Sequence, residues 1–314
     1  MRCIICKEIK EQEEFNEEHV FPDSIGGTLT QYNVCIICNS RLGHDVDTHL
    51  VNHFLVKIKR MIYRIPGKSG EIPNIFKKGY LKGDMEQEMR LEFDSVGNSK
   101  GVYMQPEKQF NVLADGSGNL HYRVDLKDKA RLPGMVNKTL KRNGFPVMES
   151  AEILRRAVET REPAPEMIIE ASADLIEYKR AILKIAYELS HYWIGENYFN
   201  DPNGEIIRKI LIAKNFTDAK INKIGSINEG ISLDLYKRLK QGGDFHMAVL
   251  IKDGNKIYCE IQIFDCMEGT IIVSNNAERY PDFVNRFISI NPVTGEKLES
   301  TLTDAFKRLA GERV

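Results

Sequence analysis

Four of the six cysteines lie in two identical tetrapeptides near the start of the chain, and their spacing is that of a metal site. Cys3 and Cys6 enclose one Ile-Ile pair, and Cys35 and Cys38 enclose another. A CxxC turn presents two thiolates to one side of an ion, and two such turns complete the tetrahedral four-sulfur set that suits zinc. Because four thiolates leave no open coordination position, the pattern predicts a structural Zn²⁺ rather than a catalytic one.

The segment around these cysteines needs such a staple. Residues 1–50 carry few large apolar side chains and many acids, so they are not expected to build a core of their own. Metal binding supplies folding free energy to modules of this kind. The remaining cysteines, Cys259 and Cys266, lack ligand spacing and are expected to be buried or idle.

The loop between the two cysteine pairs contains more polar chemistry than a plain zinc ribbon requires. Glu18 and His19 precede Val-Phe-Pro-Asp-Ser-Ile-Gly-Gly, Asn33 stands before the second pair, and Asn39 and Arg41 follow it in Cys-Asn-Ser-Arg-Leu-Gly. A neutral imidazole is available as a base near neutral pH, and a divalent ion can clamp a phosphate electrostatically. This order of residues resembles the HNH nuclease superfamily, the ββα-metal fold, in its zinc-stapled four-cysteine branch. The resemblance covers roughly residues 1–55.

The resemblance implies a role for each of these side chains. His19 corresponds to the general base that deprotonates water, and Glu18 and Asn39 correspond to the ligands of a catalytic divalent ion. Asn33 corresponds to the middle residue of the motif, which orients the loop and the base, and Arg41 is a candidate contact for the substrate phosphate. The implied reaction is metal-dependent hydrolysis of DNA phosphodiester bonds.

Two positions depart from the commonest pattern of that family. Glu18 stands where Asp is frequent, and Asn39 stands where His is frequent, which makes this an HNN variant. An amide oxygen is a harder ligand than an imidazole nitrogen, so the expected catalytic ion is Mg²⁺ or Mn²⁺.

Each assignment has a structural alternative. Glu18 and His19 can be a solvated dipeptide in a non-catalytic zinc module that binds nucleic acid or a protein partner. Asn39 can simply cap the helix that follows the second cysteine pair, since Asn is a preferred N-cap residue. Arg41 can be an ordinary surface residue.

The overall charge of the chain predicts no partner, because 44 basic residues face 45 acidic ones. The distribution is uneven, with −5 over residues 1–50 and +7 over residues 51–82. Phosphate backbones attract such a basic stretch through counterion release. The expected contacts to double-stranded DNA are Lys57, Lys59, Arg60, Arg64, Lys77 and Lys78. A second basic cluster over residues 127–142 is the other candidate, and either can be a solvated face.

The apolar and turn patterns predict an α+β fold, with an N-terminal ββα-metal zinc-knuckle module followed by a larger mixed α/β C-terminal region. Within the module they predict a short strand over residues 15–20, a loop over residues 22–33 and a helix from Asn39 to about Phe54. Short strands are predicted between about residues 81 and 126.

The predicted domains are the nuclease module over residues 1–56, a basic connector and β-rich region over residues 57–162, and an α+β domain over residues 163–314. The second boundary rests on the Pro-rich segment at residues 162–165. Beyond it, a helix is predicted from about Asp174 to Gly195, another from Asp201, and a hairpin with its turn at Asp253-Gly254.

No apolar run approaches the ~20 residues that span a bilayer, and the first ten residues do not resemble a secretory signal. We therefore expect no membrane partner and a cytoplasmic location. The C-terminal domain is expected to serve assembly, DNA gripping or sensing, which leaves a homodimer or a regulatory partner open. This layout resembles that of bacterial anti-phage defence or restriction effectors, in which an appended domain controls the nuclease.

Overall fold

The computed structural model describes residues 1–94, 97–161, 165–170, 176–214, 223–229 and 245–309, and these divide into two units. One unit joins residues 1–73 to residues 172–314, and the other comprises residues 74–171. The boundaries predicted from the sequence, near residues 56 and 162, differ because the N-terminal segment shares its core with the C-terminal part of the chain. Asp174 and residues 162–164 of the predicted linker lie outside the described residues.

The strand predicted over residues 15–20 is only two residues long and forms one side of a short hairpin. Strand β1 (Glu18–His19) pairs antiparallel with β2 (Thr30–Gln31), so that Glu18 faces Gln31 and His19 faces Thr30 in the ladder. Pro22 ends the extended segment, and a 3-10 turn over Asp23–Ile25 follows. With only two residue pairs, this hairpin depends on other contacts to keep its position.

Two glycines allow the loop of this hairpin to pack closely. Gly26 has φ +87°, and a Cβ there would lie 2.2 Å from the carbonyl oxygen of Pro292. A Cβ on Gly27 would lie 2.0 Å from the carbonyl oxygen of Phe21. Only glycine fits both conditions, so the Gly-Gly pair lets the loop rest directly on the C-terminal part of the unit.

The helix predicted from Asn39 to about Phe54 is broken into parts. Helix α1 (Ile36–Leu42) begins at the second cysteine pair and continues through a π turn (Gly43–Asp47) into α2 (Thr48–Val51). A separate helix, α3 (Phe54–Tyr63), follows. The apolar side chains that predicted the helix are buried as expected up to the break; they are Leu42, Val46 and Leu50.

Residues 74–171 form the second unit, which has its own small hydrophobic core. Its strands are β3 (Gly79–Leu81), β4 (Asp84–Phe93), β5 (Ser99–Met104), β6 (Glu107–Val112), β7 (Gly118–Arg123) and β8 (Met167–Ile168). One sheet has the order β5-β4-β3-β8, and β6 and β7 form a separate hairpin. Helices α4 (Leu132–Arg142) and α5 (Ser150–Arg156) pack together, and Pro133 stands in the first turn of α4, where it is tolerated.

Two helices of the C-terminal part confirm their sequence signals. Helix α6 (Tyr178–Ile194) ends at Gly195, which has φ +76°, and it is buried on nearly every side through its first four turns. Helix α7 (Pro202–Ile212) begins after Asp201, whose carboxylate accepts hydrogen bonds from the backbone N–H groups of Asn203 and Gly204.

The last part of the chain forms an antiparallel sheet of six described strands, two of which form the predicted hairpin. The strands are β9 (Gly225–Glu229), β10 (His246–Asp253), β11 (Lys256–Ile263), β12 (Met267–Ser274), β13 (Arg286–Ile290) and β14 (Lys297–Thr301). Their order is β14-β13-β10-β11-β12-β9, and helix α8 (Leu302–Leu309) follows the last strand. The predicted hairpin is confirmed, but its turn is Gly254-Asn255, one residue later than predicted, because Asp253 still pairs with Lys256.

Apolar residues of the N-terminal segment, of α6 and of this sheet belong to one continuous core. Ile5, Phe21 and Leu42 are as fully buried as Ile185 on α6 and Ile261 in the sheet. The N-terminal segment therefore does not have a hydrophobic core of its own. Among the described residues, no helix has the length and apolar character to cross a membrane.

Candidate active site

The four N-terminal cysteines come together as the sequence predicts. Their sulfur atoms all lie within 4.8 Å of one another, and the Cys6 and Cys35 sulfurs are 3.9 Å apart. Four sulfurs about 2.3 Å from one tetrahedral ion would be about 3.8 Å from each other, so the cluster has the dimensions of a zinc site. None of the cysteines forms a disulfide.

The cluster also has suitable electrostatics. The pKa of Cys3 is lowered to about 4, chiefly because the Cys38 thiol donates a hydrogen bond to it. The backbone N–H of Cys35 also donates to the Cys3 sulfur, at 3.4 Å. The thiolate is the form of cysteine that binds metal, so Cys3 is prepared for an ion, whereas burial raises the pKa of Cys6 to about 11.

Helices from the C-terminal part hold the first knuckle in place. The Tyr187 hydroxyl on α6 donates to the carbonyl oxygen of Ile4 at 2.7 Å, and the Arg208 guanidinium on α7 donates to that of Ile5 at 2.8 Å. Lys7 forms an ion pair with Glu205 at 2.8 Å. The zinc cluster is thus fixed to a scaffold that lies far away in sequence.

His19, the predicted general base, lies on β1 with its side chain half-buried. Within the described parts of the chain, no hydrogen bond engages its ring. Its backbone carbonyl, in contrast, accepts a hydrogen bond of 2.6 Å from the ammonium of Lys184 on α6. The main chain of the residue is therefore held while the imidazole stays available.

Glu18, the neighbouring predicted metal ligand, is placed differently from the expectation. Its side chain is buried, with 2% of the residue exposed, and it forms an ion pair with Lys184. The same ammonium lies 3.1 Å from Asp47 and 3.7 Å from Glu188. Successive side chains of a strand point to opposite faces, so Glu18 faces the core and not the side on which His19 emerges.

This buried group of one lysine and three acids is strongly coupled. Burial raises the pKa of Glu18 and of Asp47, and it raises that of Glu188 well above its usual range. Burial by itself would lower the pKa of Lys184, but attraction to Asp47, Glu188 and Glu18 outweighs it and raises this pKa. The lysine therefore remains an ammonium, and Glu188 holds a proton most readily.

Asn39 and Asn33 occupy positions beside the hairpin. Asn39 lies in the middle of α1, whose N-cap is Cys35, so it does not cap this helix. Its amide donates to the backbone carbonyl of Glu17 at 2.7 Å and to Asn16 at 3.0 Å. Asn33 donates to the Gln31 side chain at 2.7 Å, and its carbonyl accepts from the backbone N–H of Ile4. Asn39 thus adjoins β1, and Asn33 links β2 to the first knuckle.

The remaining predicted contacts to substrate are of two kinds. Arg41, Arg64 and Lys77 are exposed and Lys57 is half-exposed. Lys59 forms an ion pair with Asp265 at 2.5 Å, and Lys78, which is also exposed, forms one with Glu88 at 3.1 Å. Arg60 corrects the sequence prediction most clearly, because only 4% of it is exposed and it donates to the carbonyl of Val51.

The site defined by this geometry is a zinc-stapled hairpin and helix with a histidine on its first strand. Residues 3–55 match the family model of the HNH endonucleases, so the chain carries an HNH endonuclease domain at its N-terminus. The matched segment ends inside α3 and includes every residue of the predicted motif. No match is found among curated proteins or among solved structures.

The two predicted metals fit this arrangement unequally. The four sulfurs suit zinc in number and spacing. A catalytic ion shared by Glu18 and Asn39 does not fit the arrangement, because Lys184 already neutralises the Glu18 carboxylate inside the core. Elsewhere in the described residues, no group of three or more His, Cys, Asp or Glu side chains could hold an ion.

Lys184 is the residue that sequence reasoning missed. A signal was present, because the lysine stands inside Ile-Leu-Lys-Ile-Ala, where the helical apolar stripe leaves no solvent-facing side. A lysine in such a position needs buried acids as partners. The sequence alone does not say which of its 45 acids those partners are.

Proposed function

We propose that this protein is a metal-dependent endonuclease that hydrolyses phosphodiester bonds in DNA, with His19 as the general base. The observation that carries the proposal is the position of His19: it lies on the first strand of a segment that matches the HNH endonucleases, between the two cysteine pairs in sequence. An imidazole in this position can take a proton from an attacking water at neutral pH.

The surrounding residues have supporting roles in this proposal. Mg²⁺ or Mn²⁺, when bound, would offset the negative charge that builds on the phosphate during hydrolysis. Asn39, which donates to the backbone carbonyl just before β1, is the candidate ligand, and Asn33 supports the second strand through Gln31. Arg41 is exposed on α1 and is proposed to contact the phosphate.

Double-stranded DNA is the proposed substrate, held through the exposed basic residues rather than through all six that the sequence suggested. Arg60 is excluded because it is buried, whereas the other five are at least partly exposed, namely Lys57, Lys59, Arg64, Lys77 and Lys78. Contacts to phosphates release counterions, so binding through these residues weakens as salt increases.

We also propose that the C-terminal part restrains the nuclease, as a bacterial anti-phage defence or restriction effector in the cytoplasm would require. The support is the shared core: Gly26 of the hairpin loop touches Pro292, and His246 of β10 contacts the Ile25 carbonyl at 2.8 Å. A homodimer or a regulatory partner that binds the sheet could act on the hairpin through these contacts.

Cleavage of supercoiled plasmid DNA tests the activity. The zinc-loaded full chain is incubated with Mg²⁺ or Mn²⁺ beside His19→Ala and beside His121→Ala, an exposed histidine in the other unit. We expect the wild type and His121→Ala to nick or linearise the plasmid and His19→Ala to leave it intact. Equal cutting by His19→Ala would remove His19 from its role.

A second function, binding of nucleic acid or a protein partner by a non-catalytic zinc module, is favoured by one specific observation. Glu18 is buried against Lys184 instead of facing the imidazole. Tight DNA binding with no cleavage in Mg²⁺, Mn²⁺ or Zn²⁺ would support this second function over the first.

A further inference from the structure

The ammonium of Lys184 lies at the point where α6 meets both residues of strand β1. The residue is fully buried, and its Nζ contacts the Glu18 carboxylate, the Asp47 carboxylate at 3.1 Å and the His19 carbonyl at 2.6 Å. A lysine ammonium has three N–H donors, and these three oxygens account for all of them. Lys184 is outside the segment that matches the HNH endonucleases, yet its side chain binds directly to the Glu18-His19 pair inside that segment.

We propose that Lys184 is the positioning residue of the general base and that Glu18 serves as its buried ion-pair partner, not as a ligand of the divalent ion. This inference rests on the proposed function for the role of His19. It assigns a residue on α6 to the active-site machinery and gives Glu18 a role different from the one implied by its place in the motif.

The burial of Glu18 argues for the second half of this proposal. A divalent ion bound by Glu18 would have to lie beside the Lys184 ammonium in a region that excludes water, where like charges repel strongly. The strand also turns the Glu18 side chain away from the face on which His19 is half-exposed. A single ion cannot serve the imidazole face and this buried carboxylate unless Lys184 leaves.

The shortness of the hairpin argues for the first half. β1 and β2 share only two residue pairs, so the ladder alone does not fix the position of His19. Helix α6 holds both strands: Lys184 binds the His19 carbonyl, and Gln31 of β2 donates to the Glu188 carbonyl at 3.1 Å. Loss of the ammonium frees the strand, and a shift of about 1 Å in a catalytic group can cost about 100-fold in rate.

The test uses the zinc-loaded full chain with Glu18→Gln, Lys184→Met and the double variant, and Lys209→Met serves as a control on an exposed lysine of α7. Two quantities are measured for each protein. One is the single-turnover cleavage rate at saturating DNA as a function of Mn²⁺ concentration. The other is the NMR signal of the His19 ring in histidine-labelled protein, assigned by its absence in His19→Ala.

We expect Glu18→Gln to shift the His19 signal and to slow cleavage about tenfold, while the Mn²⁺ concentration for half-maximal rate stays within about twofold of wild type. Lys184→Met should lower the rate about 100-fold and should also shift the His19 signal. In the double variant the two losses should not multiply, because both residues act through one contact. Lys209→Met should match the wild type in both measurements.

Several results would overturn the proposal. A rise of about tenfold or more in the Mn²⁺ requirement of Glu18→Gln would make Glu18 a metal ligand. If the two losses of rate multiply in the double variant, or if the His19 signal is the same in Glu18→Gln as in the wild type, the ion pair does not position the general base. If Lys184→Met does not fold, Glu18→Gln decides by its Mn²⁺ dependence and its NMR signal. If the wild type cuts no DNA, the proposed function fails, and the His19 signal alone decides whether the ion pair positions the ring.

Discussion

At the scale of single residues, two groups of side chains organise the N-terminal segment. The four cysteines are arranged for zinc, and the Lys184 ammonium replaces a metal as the cation beside Glu18. The first was readable from the sequence because a CxxC pair is a local pattern, whereas the second was not, because Lys184 and Glu18 are brought together only by the fold. The residue identities of the motif were predictable, but the direction in which Glu18 points was not.

Replacement of a zinc ligand tests the first of these groups. Cys35→Ser removes one of the four thiolates, so we expect the zinc content to fall from about one ion per chain to well below it, with a large loss of thermal stability. Zinc content is measured by atomic absorption, and thermal unfolding by circular dichroism. Cys259→Ala, a buried cysteine of the sheet, should keep its zinc. Full zinc occupancy in Cys35→Ser would contradict the four-sulfur site.

At the scale of elements, the sequence was most informative where a boundary is chemically local. Gly195 ends α6 and Asp201 caps α7, as predicted, and the hairpin turn is one residue later than predicted. It was least informative where tertiary packing sets the limits: β1 has two residues, and the predicted helix after Asn39 is broken near residue 52. A short strand or a break of this kind depends on contacts from distant parts of the chain.

The glycine pair of the hairpin loop gives a prediction about packing. Gly26→Ala introduces a Cβ 2.2 Å from the Pro292 carbonyl oxygen at a positive φ, and we expect it to destabilise the fold by about 1–3 kcal/mol. Gly43→Ala is the matched control, because its added Cβ meets no atom within 4 Å and its backbone is helical. Chemical denaturation measures both. Equal stability of the two variants would contradict the close approach of loop and sheet.

Helix α6 also predicts a pH dependence. Burial lowers the pKa of His191 from its ordinary value of 6.5 to about 3. The unfolded chain therefore binds this proton first, so the stabilising effect of a neutral His191 is complete above pH 6.5 and is lost as the pH falls toward 3.

We expect His191→Phe to remove up to about 1.4 kcal/mol per pH unit from the slope of unfolding free energy between pH 6.5 and 4. His121→Phe, at an exposed position in the other unit, is the control. The slope is obtained from urea denaturation at each pH. Parallel curves for wild type and His191→Phe would show that the histidine is not buried in its neutral form.

At the scale of the whole molecule, the matched domain does not coincide with a folding unit. Residues 3–55 carry the motif, but their apolar side chains are buried against α6 and the six-stranded sheet. The α+β class was predictable from composition and periodicity, whereas the return of the chain after residue 172 to complete the N-terminal core was not. Nothing local in either segment identifies the other as its partner.

This organisation predicts that the isolated module does not fold. A fragment of residues 1–56, supplied with zinc, should bind the metal through its cysteines but show poor dispersion in an NMR amide spectrum, because Phe21, Leu42 and Leu50 lose their packing partners. The full chain is the control. A well-dispersed spectrum from the fragment would contradict the shared core.

The most direct test of the central claim is the rate at which His19→Ala cleaves DNA. Single-turnover cleavage in Mn²⁺ is measured at saturating DNA, with each protein matched for zinc content and thermal stability. General-base catalysis contributes about 100- to 10,000-fold, so we expect the variant to be slower by a factor in that range while DNA affinity is unchanged. A rate equal to that of the wild type would contradict the account.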